Sequence, residues 1–166
     1  MEPLWAASFV ILLVIAAFYD ITQLRIPNVV CYLIVIAFVP RVIYAGAPDG
    51  PLLHLFVFGG ALAVGFGAYA FKIVGAGDAK LLAAICLWLG PSNLPLFVLL
   101  MALVGGIFGL LVIVARRYDY IVFGLIPWKV RKVLPGFVFG EGPIPYGVAI
   151  TGGALWCLVS TQTTFV

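Results

Sequence analysis

The stretch Pro3-Leu4-Trp5-Ala6-Ala7-Ser8-Phe9-Val10-Ile11-Leu12-Leu13-Val14-Ile15-Ala16-Ala17-Phe18-Tyr19 runs for 17 residues without a charge and stops at Asp20. It is apolar on every helical face, and a bilayer-spanning helix needs about 20 such residues. Further apolar runs follow at 29–45, 51–71, 79–90, 94–115 and 144–160, parted by polar or Pro/Gly-containing breaks. The remainder of the chain is of the same kind: of 166 residues 65% are hydrophobic and only 9% charged, with a mean hydropathy of +1.26. Such a balance excludes a water-exposed domain of this size. It predicts an all-α, polytopic membrane protein of about six transmembrane helices, forming one domain over residues 1–166. The Met-Glu-Pro start carries no basic residue and the first run ends in Phe-Tyr-Asp, so a cleaved signal peptide is not expected.

The basic residues set the orientation. Arg25 lies in the first connection, Lys72 and Lys80 flank the third, and Arg116, Arg117, Lys129, Arg131 and Lys132 lie in the fifth, which accounts for eight of the nine Lys and Arg residues. Under the positive-inside rule the odd-numbered connections are cytoplasmic and both termini lie on the other side. Arg41 alone falls toward that other side, near enough to the end of its helix to snorkel outward. The fourth run is short, since 12 residues reach only about 18 Å of a roughly 30 Å core. If it did not cross, the basic cluster of the fifth connection would change sides, so it is read as a short crossing helix that starts slightly below the surface. The long connection at about 116–143 is expected to lie along the cytoplasmic membrane surface, its basic residues serving topology and attraction to anionic lipid.

Several function classes fall away. Net charge is +3, but the basic residues sit between spans with no domain to present them to nucleic acid. Cys31, Cys86 and Cys157 lie singly inside apolar runs, without the spacing of a zinc ribbon or a disulfide framework, and read as packing residues. No cofactor or metal is expected. The single histidine, His54, is placed near the outer end of the third helix as an interfacial residue. Ser8, Ser92 and Ser160 lack a nearby general base. Glycines at 59, 60, 65 and 67, the Gly105-x-x-x-Gly109 spacing, and Gly152 with Gly153 suit close helix packing.

Two of the six acidic residues stand out. Asp20 closes the first helix, where the helix dipole disfavours a negative charge. Asp78, in Gly75-Ala76-Gly77-Asp78-Ala79-Lys80, opens the fourth, where a carboxylate can also cap free backbone N–H groups. The first helix leads down to the cytoplasmic boundary and the fourth leads up from it, so both carboxylates share one depth. Ionisable groups there face a polar cavity or a partner. Two carboxylates in one cleft of low dielectric cannot both ionise and come to share a proton, which is the apparatus of an aspartic peptidase. Capping, ion conduction and chance remain alternatives at this level. Gly75 and Gly77 leave room for an extended backbone to approach Asp78. Pro27 with Asn28 reads as a helix start, Asn28 being the N-cap of the second helix. Lys72 and Lys80 read as snorkelling anchors, Lys80 pointing to a different helix face from Asp78.

Tyr19-Asp20, Ile26-Pro27-Asn28 and Gly75-Ala76-Gly77-Asp78-Ala79-Lys80-Leu81-Leu82 together resemble the signature of type IV prepilin peptidases, membrane aspartic peptidases of the Gly-x-Gly-Asp kind. Pro143-Ile144-Pro145-Tyr146-Gly147-Val148-Ala149-Ile150 is similar to the family's Pro-Tyr/Phe-Gly element at the last helix. The resemblance implies that Asp20 and Asp78 are the catalytic pair, with Gly75, Gly77, Pro27, Asn28 and Lys80 binding substrate or shaping the site. It further implies removal of a basic leader from prepilins or pseudopilins at the cytoplasmic face of the inner membrane. The chain is more similar to the short members serving Flp-type pili than to the bifunctional ones, whose added segment with paired cysteines it lacks, so methylation of the mature pilin is not implied. Archaeal preflagellin peptidases share the chemistry. Presenilin-like enzymes pair Tyr-Asp with Gly-x-Gly-Asp but carry a Pro-Ala-Leu element absent here. The rival classes are an ion- or proton-coupled carrier using Asp20 and Asp78 as a charge relay, and a non-catalytic assembly subunit.

Overall fold

The computed structural model describes residues 3–117 and 144–163. Among them the chain is all-helical: α1 Pro3–Gln23, α2 Asn28–Ala45, α3 Pro51–Ala70, α4 Ala76–Arg117 and α5 Tyr146–Thr163. The first four are long and apolar enough to cross a membrane, and α5 is a shorter apolar helix. Large apolar side chains, among them Leu4, Ile11, Phe18, Ile36, Phe56 and Leu110, point outward. That arrangement is suited to lipid and not to water, and describes a multi-pass membrane protein. The surface lay expected for 116–143 falls almost wholly outside the described residues.

Helix α4 is two helices in one. Gly90 adopts φ 72°, ψ 177°, a left-handed conformation that breaks the 42-residue run. In a straight rod Asp78 and Gly105 would be about 40 Å apart, yet both line one cavity. The chain therefore folds back at Gly90, and the short apolar run before it and the longer one after it stand side by side.

The break leaves backbone groups to be satisfied. Pro91 has no N–H, so the Leu87 carbonyl four residues earlier loses its helical donor. The ring of His54 supplies the replacement: Nδ1 lies 2.7 Å from Leu87 O, and since a carbonyl only accepts, Nδ1 carries the hydrogen. Asn93 Nδ2 donates to Leu89 O at 3.1 Å. On the far side of the break the Asp49 carboxylate accepts from the hydroxyl and backbone N–H of Ser92, a favourable place for negative charge at a helix start. His54 is thus not interfacial but 1% exposed, drawn inward by the carbonyl that proline orphaned.

Arg41 departs from expectation in the same region. It does not snorkel; it is 5% exposed. Its guanidinium carbon stands 5.6 Å from the Phe38 ring centre and 5.5 Å from that of Trp88, close enough for two ring faces to attract the cation. Trp88 anchors this end of the core, stacking on Phe9 at 4.5 Å and donating its indole N–H to Ile34 O at 2.7 Å. Leu13, Leu81, Ile85 and Phe97 continue the core, and Cys31, Cys86 and Cys157 are buried thiols within it.

Helix packing uses some of the glycines and not others. A Cβ at Gly153 would fall 2.6 Å from Met101 Cα, and one at Gly65 would fall 2.9 Å from Ala79 Cβ, so these admit α5 and α3 against α4. Gly59, Gly60, Gly67 and Gly109 face open space.

Candidate active site

The ends of four helices meet around a cavity of about 500 Å³ lined by Asp20, Leu24, Tyr69, Lys72, Gly75, Asp78 and the Ile144-Pro145-Tyr146 segment, among others. Asp20 lies in the last turn of α1 and is 4% exposed. Its awkward position against the α1 dipole is resolved by another helix. The first N–H groups of α5 have no partner within that helix, and Asp20 Oδ2 accepts from Val148 N–H at 3.3 Å with the Gly147 amide beside it. The negative side chain sits on the positive end of α5.

Gly147 makes this contact possible. A Cβ there would lie 2.7 Å from Asp20 Oδ2 and 2.9 Å from Ile26 Cδ1, inside contact distance of both. Any larger residue would push the carboxylate off the amides.

Asp78 occupies the first turn of α4. Gly75, just before the helix, accepts the first intrahelical bond from Ala79 N–H at 3.1 Å, and its own amide lies against the Asp78 carboxylate. This is the reciprocal half of a capping box, made by a carboxylate three residues into the helix. The capping role foreseen for Asp78 is therefore present. In the same conformation Asp78 also lines the cavity, within electrostatic range of Asp20.

The remaining sequence candidates are arranged around the pair. Gly75 lines the cavity. Gly77 does not; the space it leaves is taken by Ile26, whose Cβ would stand 3.3 Å from a Cβ at 77, so it seats the α1–α2 connection against the start of α4. Asn28 is not the N-cap of α2. Pro27 holds that position with no side-chain cap, and Asn28 is the first helical residue. Its amide oxygen is engaged elsewhere, accepting from Lys80 Nζ at 2.9 Å and so joining α2 to α4. Lys80 is thus tied to α2 and is not among the residues that line the cavity.

Tyr69 was not singled out beforehand; Lys72, expected as a snorkelling anchor, and Tyr146, noted only within the last-helix motif, both line the cavity, and the Gly147-Val148 amides hold Asp20. Leu24 and Lys72 end α1 and α3 with left-handed backbones, φ 51° and 58°, which turn the chain sharply at the rim. The proline-aromatic-glycine start of the last helix, noted in the sequence as a motif without a role, carried the signal for the α5 contribution, since a glycine at a helix's second position is a poor helix former and asks for a close neighbour.

Two acidic side chains from separate helices, lining one cavity at the ends of an apolar bundle, define a membrane protein with a paired-carboxylate cavity. The chain belongs to the type IV leader peptidase family, whose model matches residues 7–110 and so takes in both Asp20 and Asp78. Curated relatives include the prepilin leader peptidase/N-methyltransferase of Aeromonas salmonicida strain A449 and its counterpart from Aeromonas salmonicida, each 46% identical over 56 residues, covering 30% of this chain. The similarity spans 19% of each relative's length. No solved structure matches the chain.

Proposed function

We propose that the protein is an aspartic endopeptidase of the inner membrane that removes the basic leader from prepilins or pseudopilins, of the Flp type, at the cytoplasmic boundary. Its termini lie on the opposite side and the residues around 116–143 on the cytoplasmic side. The observation that carries the reading is the shared cavity of Asp20 and Asp78, and family membership supports it.

In this mechanism the pair holds one proton. The ionised carboxylate takes a proton from a water molecule as the oxygen attacks the scissile carbonyl, while the protonated one donates to the developing oxyanion. Collapse of the tetrahedral intermediate returns a proton to the departing amine and breaks the C–N bond. The chemistry uses only water and the two acids. Asp20, fixed on the α5 amides, is the natural bearer of the charge, since those N–H groups bond best to a carboxylate.

The test is co-expression with a tagged prepilin, comparing leader removal by wild type, Asp20→Asn and Asp78→Asn. Loss in both variants with normal membrane insertion is expected. Processing that survives either change removes the mechanism, and proton flux without cleavage by wild type would favour a carrier instead.

A further inference from the structure

The polar groups that hold the break at Gly90 leave one atom unserved. His54 gives its Nδ1 hydrogen to Leu87 O, so Nε2 of the neutral ring carries a lone pair. That atom is fully buried and has no hydrogen-bond partner among the described residues. Across from it stands the Asp49 carboxylate, with Oδ2 at 3.9 Å, beyond hydrogen-bond reach. Two acceptors thus face one another over a short gap, and a buried acceptor with no donor calls for an explanation. Gly90 keeps the gap open: a Cβ there would stand 2.6 Å from Nε2 and 2.9 Å from Oδ2.

We propose that His54 Nε2 and the Asp49 carboxylate bind a divalent transition-metal ion of the zinc kind, at the end of the bundle remote from Asp20 and Asp78. Zinc takes an imidazole nitrogen at about 2.0–2.1 Å and a carboxylate oxygen at about 2.0–2.2 Å. The two bonds together exceed the 3.9 Å gap, so one ion reaches both atoms with little movement. The imidazole is already oriented for this, since a ligating histidine gives its other N–H to a carbonyl or carboxylate, as Nδ1 does to Leu87 O. The other Asp49 oxygen is held by the Ser92 hydroxyl. Asp49 is 21% exposed and gives the ion its way in. Among the described residues no third His, Cys, Asp or Glu joins the pair, so water completes the shell and the ion exchanges with solvent. A nearby cation sharpens the choice of metal: the Arg41 guanidinium lies 5.6 Å from the same Phe38 ring on which the imidazole stacks. Its repulsion is offset by a nitrogen donor that favours zinc, nickel or copper over magnesium or calcium. The bound ion ties the first turn of α3 to the α2–α3 connection and, through Ser92, to the second arm of α4, fastening the fold-back.

The experiment uses the full chain, purified in detergent without a polyhistidine tag, and follows its thermal midpoint against free zinc, with magnesium as the comparison. Wild type should gain roughly 5 °C once zinc exceeds its dissociation constant about a hundredfold, and magnesium should give no gain. Asp49→Asn and His54→Gln should each lose the zinc gain from whatever midpoint they start, and the Asp20→Asn, Asp78→Asn double variant should keep it. Asp49→Asn retains an amide oxygen for Ser92, so its loss of response is read on a folded chain even where His54→Gln is unstable. No gain in wild type, a gain kept by Asp49→Asn and His54→Gln, or one lost with the acidic pair instead, overturns the site. So does a gain that magnesium reproduces, since charge alone and not the imidazole would then be at work.

Discussion

Asp20 accepts the backbone N–H of Val148 at 3.3 Å across a separation of 128 residues, so the first helix places its carboxylate on the free amides that start the last. The contact depends on Gly147, where a Cβ would stand 2.7 Å from the same oxygen. Gly147→Ala should displace the carboxylate while leaving the helix intact. A misplacement of about 1 Å at a reacting group can cost on the order of 100-fold in rate. A fall of that order in kcat with KM nearly unchanged is expected from purified enzyme on a leader peptide substrate, and wild-type kcat would show the cradle to be dispensable.

A pair working with one shared proton has two inactive forms. Fully protonated it lacks the base, and fully ionised it lacks the acid, so activity should rise and then fall with increasing pH. The two limbs belong to the pair and not to either aspartate alone. Initial rates across the acid and neutral range, in detergent or liposomes, check this; a flat profile would mean that the carboxylates do not exchange protons in the reaction.

His54→Ala removes the hydrogen that serves Leu87 O, and Pro91 cannot replace it. A buried polar group left unpaired costs about 1–3 kcal/mol. Thermal unfolding in detergent should register a lowered midpoint. Gly90→Ala should be no gentler, because a Cβ there would fall 2.5 Å from His54 Cε1 in a backbone region that disfavours side chains.

Lys80 gives a contrasting case. Its ammonium donates to Asn28 at the surface and not to the acidic pair. Lys80→Met should change stability by no more than about 0.5 kcal/mol and leave cleavage near wild type. A large loss of cleavage would give Lys80 a substrate contact that its present orientation lacks.

The helices were legible because lipid imposes a simple pattern: the runs at 29–45 and 51–71 correspond to α2 at Asn28–Ala45 and α3 at Pro51–Ala70 almost residue for residue. The joining of the runs at 79–90 and 94–115 was less so, because Gly90 and Pro91 sit where either a loop or a tight break would fit. Asp20 and Asp78 were legible as misfits, charges at the ends of apolar helices. What surrounds them was not. The α5 amides are backbone groups, marked in the sequence only by the Pro145-Tyr146-Gly147 start of that helix, while Gly77 was read as leaving room beside Asp78 and Asn28 as a helix cap, where Ile26 and Lys80 occupy them instead. Arg41 and His54 misled for a related reason. Charge and polarity suggest an interface, but two aromatic rings and one orphaned carbonyl hold them inside.

The fold-back at Gly90 gives the chain a lever. From Gly90 to Gly106 the helix extends about 24 Å, so a rotation of about 5° at that joint carries the Gly105–Gly106 wall of the cavity beside Asp78 by about 2 Å. The fulcrum, clasped by His54 and Asp49, sits at one face of the bundle while the acids sit at the other. Bilayer thickness or a substitution acting only on the remote face would thus be felt at the cavity beside Asp78.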